Sequence, residues 1–251
     1  QMLHAVGYAM GITADGAMGT GDPERDAAVM AFTGDGGTSQ GDFNEALVFA
    51  AVTNAPVVFF VQNNQWAISE PNDKQFIIPP YQRARGFGFP GVLVDGNDPL
   101  ATYAVAKDAL DKARSGQGPT LIEAYTYRMG AHTTTDDPTR YRTAQTDEYW
   151  AGLDPIVRMQ KYLRSRELID DAWLAELDER AEQFGAQVRD AVLAQMDAYT
   201  PPPESAASAK TTASPRTRKR SPRPRPSSAT RRWCWPWTNC RKVKVNWTWP
   251  N

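Results

Sequence analysis

The chain has 251 residues, 41% of them hydrophobic, and a net charge of −1. It is long enough for one or two domains and apolar enough to bury a core, which excludes a wholly disordered chain. This net charge is the sum of two regions whose charges have opposite signs. Residues 1–200 hold 16 basic and 28 acidic residues, whereas residues 201–251 hold 12 basic residues and a single acid, Glu204. We therefore divide the chain into a body, residues 1–200, and a basic tail, residues 201–251.

Cysteine usage and hydropathy exclude several further classes. Both cysteines, Cys234 and Cys240, lie in the tail. The body therefore holds neither a disulfide framework nor a cysteine-ligated zinc or iron–sulfur site. Apolar runs of the body, such as Ala55 to Val61, are too short to span a bilayer, and no signal peptide is visible. We expect a cytoplasmic protein with no membrane contact.

The body alternates between strand and helix patterns. Four continuous apolar runs predict strands that are mostly covered on both faces, namely Ala28–Phe32, Val57–Val61, Val92–Val94 and Leu121–Tyr125. Helical patterns lie between them, at Gly41–Thr53, Tyr81–Arg85 and Asp98–Arg114. This order predicts an α/β domain, with a mostly parallel sheet and helices on both faces. Arg83 and Arg85 are interpreted as surface charges, with an interface between subunits as the alternative.

The region after the sheet predicts additional, C-terminal helices. Ile156, Met159 and Leu163 keep helical spacing, and apolar residues then repeat at steps of three and four from Leu174 to Ala191. The second pattern predicts a long amphipathic helix with a narrow apolar seam. We expect this seam to pack against the body or against a partner subunit.

The first two predicted strands end in residues suited to a ligand. Gly34-Asp35-Gly36-Gly37 follows the first strand and Asn63-Asn64 follows the second. Ligands of parallel α/β sheets bind at these carboxyl ends, where glycines allow close approach and a helix N-terminus favours an anion. The loop is no Walker loop, since no Gly-Lys-Ser/Thr follows. It is no dinucleotide fingerprint either, since the third glycine is missing and Asn63-Asn64 replaces the ribose-binding acid.

Asp35 places a negative charge where a bare phosphate would be repelled. A divalent cation resolves this conflict, because Mg²⁺ readily bridges a carboxylate to phosphate oxygens. The Asn64 side chain and the backbone carbonyl of Trp66 follow at the next strand end. Asp35, Asn64 and Trp66, with two diphosphate oxygens and a water, would complete an octahedral shell.

The chain resembles the α subunit of the thiamine-diphosphate-dependent 2-oxo acid dehydrogenases, the first (E1) component of the pyruvate and branched-chain complexes. The family's cofactor motif runs from Gly-Asp-Gly to Asn-Asn, here Gly34 to Asn64. A second match, from Tyr127 to Asp137 with Tyr141-Arg142, resembles the family's histidine-bearing active-site loop. The resemblance covers residues 1–198 and implies the thiamine-diphosphate-binding fold.

The resemblance also implies roles for individual residues. It implies thiamine diphosphate and Mg²⁺ as cofactors, the ion again on Asp35, Asn64 and Trp66. Residues expected to contact the cofactor are Gly34, Gly36, Gly37, Ile68 and His132. His132 would also act in catalysis, as expected of an imidazole that exchanges protons near neutrality. Residues expected to order its loop are Arg128, Asp136, Tyr141 and Arg142.

The implied reaction is decarboxylation of a 2-oxo acid, with transfer of the acyl group to a lipoyl group on the second (E2) component. The implied partners are that acyltransferase and a β subunit, in a heterotetramer of two α and two β subunits. The β subunit carries the glutamate that activates the cofactor. The substrate class stays open among branched-chain, pyruvate and acetoin types.

The tail resembles no part of this family. Its Arg-, Pro- and Ser-rich composition predicts disorder. An origin in a shifted reading frame is favoured over a natural tail that binds nucleic acid or an acidic partner. Two alternative functions remain at this point, a noncatalytic binding module built on an incomplete α subunit and an NAD-binding oxidoreductase.

Overall fold

A parallel sheet forms the centre of the computed structural model, which describes residues 1–198 and leaves the predicted basic tail outside the described residues. The strands of this sheet are β1 (Val29–Gly34), β2 (Val57–Asn63), β5 (Gly91–Asp95) and β6 (Thr120–Tyr125). They are all parallel and lie in the order β1-β2-β6-β5. A short antiparallel ribbon of β3 (Trp66–Ala67) and β4 (Glu70–Pro71) stands apart from the sheet. The predicted α/β fold class is confirmed.

Helices fill the connections between the strands and the C-terminal region. They are α1 (Met2–Ala14), α2 (Gly41–Thr53), α3 (Asn72–Gln75), α4 (Pro80–Gly86), α5 (Pro99–Arg114), α6 (Ala144–Ala151), α7 (Pro155–Ser165) and α8 (Asp171–Ala198). Helix α2 has the predicted bounds, and α4 is longer than predicted by one residue at each end. Helix α5 begins at Pro99 because the Asp98 carboxylate accepts from the backbone N–H groups of Leu100 and Ala101.

Two apolar layers cover the sheet. On one face, α1, α2 and α4 pack against side chains that include Phe59 and Leu121, and on the other α5 packs against Val58 and Ile122. The central strands β2 and β6 are buried as predicted. The prediction fails at the edge strand β1, where Phe32 is 61% exposed, because α5 covers this face of the sheet over β2, β5 and β6.

The predicted C-terminal helices are confirmed, but the packing of the seam is not. Residues Gln1–Val188 form one compact unit, and Arg189–Ala198 belong to a second unit. Within the first unit, Leu177 is 40% and Phe184 is 67% exposed. The body therefore leaves this part of the seam uncovered. No helix among residues 1–198 combines the length and the apolar character needed to cross a membrane.

Candidate active site

The carboxyl ends of the four strands lie along one edge of the sheet. Gly34 pairs with Gln62, and Asn63 and Asp95 each pair with Tyr125, so the strands end at nearly the same level. A 3₁₀ turn, Asp35–Ser39, follows β1 directly. The backbone N–H of Asn64 lies 3.3 Å from Asp35 Oδ1. The structure therefore brings two of the three predicted metal ligands side by side.

Asp35 is a buried carboxylate without a cationic partner among the described residues. It is 1% exposed, and its two oxygens accept hydrogen bonds only from neutral groups. One donor is the Asn64 backbone, and the other is Gln75 Nε2, 2.9 Å from Oδ2. Burying a charge without a counter-charge is costly, and a bound cation would offset that cost.

The donor set at Asp35 fits a hard cation. Residues 1–198 contain no group of three or more His, Cys, Asp or Glu side chains that could hold a metal ion. A cation here would instead depend on one carboxylate plus amide and carbonyl oxygens. Mg²⁺ is commonly held this way, by one or two carboxylates together with the phosphates of its partner ligand.

The three glycines at the end of β1 and in the turn differ in the space that a side chain would have. A Cβ on Gly36 would lie 2.8 Å from the Ala67 Cβ, so only glycine fits between the turn and β3. A Cβ on Gly37 would lie 2.2 Å from the Thr33 hydroxyl oxygen. Gly34, in contrast, is exposed and has no atom within 4 Å of such a Cβ. Its backbone is therefore open to a ligand.

The turn after β2 contains backbone strain. Gln65 and Ile68 have φ angles of 71° and 57°, in the left-handed region that non-glycine residues rarely adopt. Such residues cost about 1–3 kcal/mol each and cluster at ligand-binding sites. Ile68 is β-branched and also 56% exposed, so its strain is not offset by burial within the described residues. This is the position predicted to contact the cofactor.

The third predicted metal ligand, the Trp66 carbonyl, faces a cationic side chain. Arg128 Nη1 donates to this oxygen at 3.2 Å, and Arg128 Nη2 donates to the Ile68 carbonyl at 2.6 Å. The Asn64 side-chain oxygen accepts from the Trp66 backbone N–H at 3.2 Å. Arg128 thus ties the strained turn to the loop that follows β6.

The loop residues predicted to form a network lie in contact. Arg128 Nη2 donates to the Tyr141 hydroxyl at 2.9 Å, and that hydroxyl donates to Asp136 Oδ2 at 2.6 Å. Arg142 donates to the Met129 carbonyl at 2.9 Å. The hydrogen bond from Tyr141, followed by that from the His132 backbone, lowers the pKa of Asp136. Burial and the hydrogen bond to Asp136 raise the pKa of Tyr141.

His132 is held by its backbone while its side chain stays open. Its N–H donates to Asp136 Oδ2 at 2.8 Å. The residue is exposed, and its imidazole makes no hydrogen bond to the described part of the chain. The loop therefore fixes the position of His132 and leaves both ring nitrogens accessible to a reacting group.

Several residues near the site were not predicted from the sequence. Arg83 is partly buried rather than a surface charge, since its guanidinium donates to the Thr38 carbonyl at 3.0 Å and lies over the Phe76 ring. Burial lowers the pKa of Arg83. Gln75 and the buried Glu123 were also missed. Glu123 carried a usable signal, because an acid within an apolar strand requires a polar partner.

A glycine turn, a buried acid and a strained turn lie together at the carboxyl edge of a parallel sheet, which is where α/β proteins bind their ligands. A family model described as "Dehydrogenase E1 component" matches residues 2–204, and the chain belongs to that family. The resemblance stated from the motifs is thereby confirmed, and the noncatalytic alternative is not favoured. Thiamine diphosphate is the cofactor that this family implies.

The relatives to which this chain is similar include one named for 3-methyl-2-oxobutanoate and one named for pyruvate. The chain is 50% identical over 193 residues to 3-methyl-2-oxobutanoate dehydrogenase subunit alpha of Mycobacterium tuberculosis strain H37Rv, covering 76% of this chain and 50% of the relative. It is 45% identical over 184 residues to pyruvate dehydrogenase E1 component subunit alpha of Staphylococcus aureus strain Mu50, covering 72% and 48%. The chain thus spans about half the length of these relatives.

Proposed function

We propose that this chain is the α subunit of a dehydrogenase that decarboxylates a 2-oxo acid and transfers the acyl group to a lipoyl group on an E2 acyltransferase. The observation that carries the proposal is the buried, uncompensated carboxylate of Asp35 beside Asn64, at the carboxyl edge of the sheet. Family membership supplies the cofactor class for that site.

Mg²⁺ is proposed to be held by Asp35, Asn64 and the Trp66 carbonyl. The thiamine diphosphate would contact Gly34, Gly36, Gly37, Ile68 and His132. The open backbone of Gly34 and the strained, exposed Ile68 support this assignment, since both are suited to a ligand at the strand ends. When bound, thiamine diphosphate supplies the carbanion chemistry that the protein's own side chains lack.

The histidine-bearing loop is proposed to provide proton transfer and substrate orientation. The His132 imidazole is exposed and makes no hydrogen bond to the described part of the chain, so both ring nitrogens are free to exchange a proton with a reacting oxygen. Arg128, Asp136, Tyr141 and Arg142 are proposed to order the loop around it. Their hydrogen bonds support that role, because they hold the loop backbone at Met129 and at His132 and join the side chains of Arg128, Tyr141 and Asp136.

We propose a branched-chain 2-oxo acid as substrate. The relative named for 3-methyl-2-oxobutanoate is 50% identical, against 45% for the relative named for pyruvate. The His132-Thr133-Thr134-Thr135 sequence also looks more like that of branched-chain enzymes. Both observations favour the branched-chain class over the pyruvate class.

A β subunit in a heterotetramer and a lipoyl-bearing E2 are the proposed partners. Exposed apolar residues outside the sheet, such as Val52 at 75% exposure, support burial against another subunit. The division into a body, residues 1–200, and a basic tail, residues 201–251, stays a prediction. So do the cytoplasmic location and the shifted reading frame.

The proposal is tested with the full chain co-purified with an E1 β subunit. We expect release of carbon dioxide from 3-methyl-2-oxobutanoate that requires both thiamine diphosphate and Mg²⁺. Asp35→Ala should abolish this activity, whereas Asp108→Ala, which changes an exposed carboxylate on α5, should leave it unchanged. Activity of the Asp35→Ala complex equal to that of the unmodified complex would refute the assignment of Asp35.

A further inference from the structure

A continuous chain of hydrogen bonds connects Asp35 to the buried carboxylate of Glu123. Asn63 Nδ2 donates to Glu123 Oε1 at 2.6 Å, and Asn72 Nδ2 donates to Asn63 Oδ1 at 2.7 Å. Gln75 Nε2 donates to Asn72 Oδ1 at 3.4 Å and to Asp35 Oδ2 at 2.9 Å. Three neutral amides on β2 and α3 thus lie between two buried acids.

Glu123 determines the donor-to-acceptor direction of this series of hydrogen bonds. It is 1% exposed, and its second oxygen accepts from the Tyr81 backbone N–H at 2.9 Å. An ionised carboxylate accepts hydrogen bonds and donates none, so Asn63 must turn its NH₂ group toward Glu123. The Asn63 carbonyl then faces the opposite way, where Gln65 N–H and Asn72 Nδ2 donate to it.

The same direction carries through to Gln75. Because Asn72 donates to Asn63, its own carbonyl is turned toward α3, where Gln75 Nε2 approaches it. The Gln75 NH₂ group therefore lies among three acceptors, which are Asn72 Oδ1, the Glu70 carbonyl and Asp35 Oδ2. The Gln75 carbonyl oxygen is buried and has no hydrogen-bond partner among the described residues. The side chain is held only through its donor end.

We propose that Gln75 is a positioning residue for Asp35, and that this role rests on the cation site of the proposed function. Gln75 donates a hydrogen bond to Asp35 Oδ2. The other oxygen, Oδ1, therefore stays on the side of Asn64, the neighbouring proposed ligand. The amide thereby presents one carboxylate oxygen to the ion and restrains the second. Outer-shell partners of this kind orient metal ligands and strengthen metal binding.

The test measures Mn²⁺ binding, with Mn²⁺ as a paramagnetic substitute for Mg²⁺. The full chain, co-purified with an E1 β subunit, is titrated in the presence of thiamine diphosphate, and free Mn²⁺ is followed by electron paramagnetic resonance. Gln75→Met keeps the length of the side chain and removes the donor. We expect its Mn²⁺ dissociation constant to rise by about tenfold or more. Gln117→Met, at an exposed glutamine between α5 and β6, should leave it unchanged.

Two further variants separate positioning from a general structural effect. In an Asp35→Ala background the Gln75→Met change should have no further effect on Mn²⁺ binding, because the carboxylate that Gln75 restrains is absent. Asn72→Leu leaves Gln75 in place but removes one of the three hydrogen bonds that its NH₂ group donates. It should weaken Mn²⁺ binding in the same direction and by less. This variant also provides the answer if Gln75→Met does not fold.

The outcomes distinguish this inference from the proposed function. Tight Mn²⁺ binding by the unmodified complex together with equally tight binding by Gln75→Met or Asn72→Leu would overturn the inference alone. An equal loss from Gln75→Met in the Asp35→Ala background would overturn it as well. Absence of Mn²⁺ binding in the unmodified complex would overturn the cation site of the proposed function, and the role of Gln75 with it.

Discussion

Two regions at the carboxyl edge of the sheet differ in the partners of their carboxylate groups. In the acidic corner, formed by Asp35, Asn64 and Gln75, a buried carboxylate meets only neutral donors. In the histidine loop, residues 128–142, the Asp136 carboxylate lies 3.9 Å from Arg128 and accepts from Tyr141 and the His132 backbone. Among residues 1–198 no positive charge contacts Asp35, whereas the histidine loop contains both members of its ion pair.

This contrast indicates which region depends on a ligand. The corner carries an electrostatic cost that a cation would remove, so its stability should change with the charge of residue 35. The loop has its charges paired within the chain and should be ordered without any ion. The difference follows from the partners within reach, since Asp136 has the Arg128 guanidinium 3.9 Å away, whereas Asp35 has only neutral donors among residues 1–198.

The largest expected effect comes from Asp35→Asn in the acidic corner. Removal of the charge should weaken Mg²⁺-dependent thiamine diphosphate binding by at least about 100-fold, the upper end of the loss seen for outer-shell partners. The same change should leave the thermal stability of the unliganded complex equal or higher, because a buried unpaired charge is lost. Calorimetric titration and differential scanning calorimetry measure the two effects.

Gln75 allows this substitution to be accommodated. Its carbonyl oxygen has no partner among residues 1–198, so a rotated Gln75 amide can accept from the side-chain NH₂ group that the Asp35→Asn change introduces. Asp108→Asn is the matched control and should change neither quantity. A lower melting temperature for the Asp35→Asn variant without ligand would contradict the electrostatic account of the corner.

The next effect is expected from Tyr141→Phe in the histidine loop. The hydroxyl accepts from Arg128 and donates to Asp136, and loss of hydrogen bonds in a partly exposed loop costs about 1 kcal/mol. Amide hydrogen exchange of residues 128–142 should accelerate by about fivefold, since about 1.4 kcal/mol corresponds to tenfold. Tyr103→Phe, at a tyrosine on α5 that is 66% exposed, is the control. Equal exchange in both variants would argue against the network.

A smaller effect is expected when the pH is lowered. Hydrogen bonds from Tyr141 and the His132 backbone lower the pKa of Asp136, so the ionised form favours the ordered loop. Their contribution is complete above the ordinary carboxyl pKa of about 3.9 and is lost as the pH falls through the lowered value. Protection of the loop should therefore persist at about pH 5 and decline below about pH 4. An Asp136→Asn variant should lack this decline.

The smallest effect is expected from substitutions of Ile68. Two of them separate the effect of backbone strain from the effect of contact with the cofactor. Ile68→Gly relieves the left-handed φ of 57° and should stabilise the unliganded complex by up to about 1 kcal/mol. Ile68→Ala removes the same contact and keeps the strain, so it should give no such gain. Both variants should weaken thiamine diphosphate binding to a similar extent. Different affinities for the two would indicate that the backbone, and not the side chain, makes the contact.

Local patterns in the sequence were sufficient for the fold class and for most of the elements. Helix α2 was predicted with its observed bounds, and all four strands of the sheet were predicted to within a few residues, because buried strands are continuous apolar runs. The pairing of Asp35 with Asn64 was also accessible, since parallel strands end at one edge. The order of the strands was not, because it depends on which crossover connections pack together.

What the sequence by itself determined is therefore the set of chemical groups at each strand end, together with the family to which the chain belongs. Only the tertiary structure decided that Gln75 joins the acidic corner, that Glu123 is connected to it through amide side chains, and that Arg128 donates to the Trp66 carbonyl. The physical reason is the distance along the sequence between the residues that interact. Periodicity and turn chemistry are local, whereas a buried acid takes its partners from any strand or helix that packing brings within hydrogen-bonding distance.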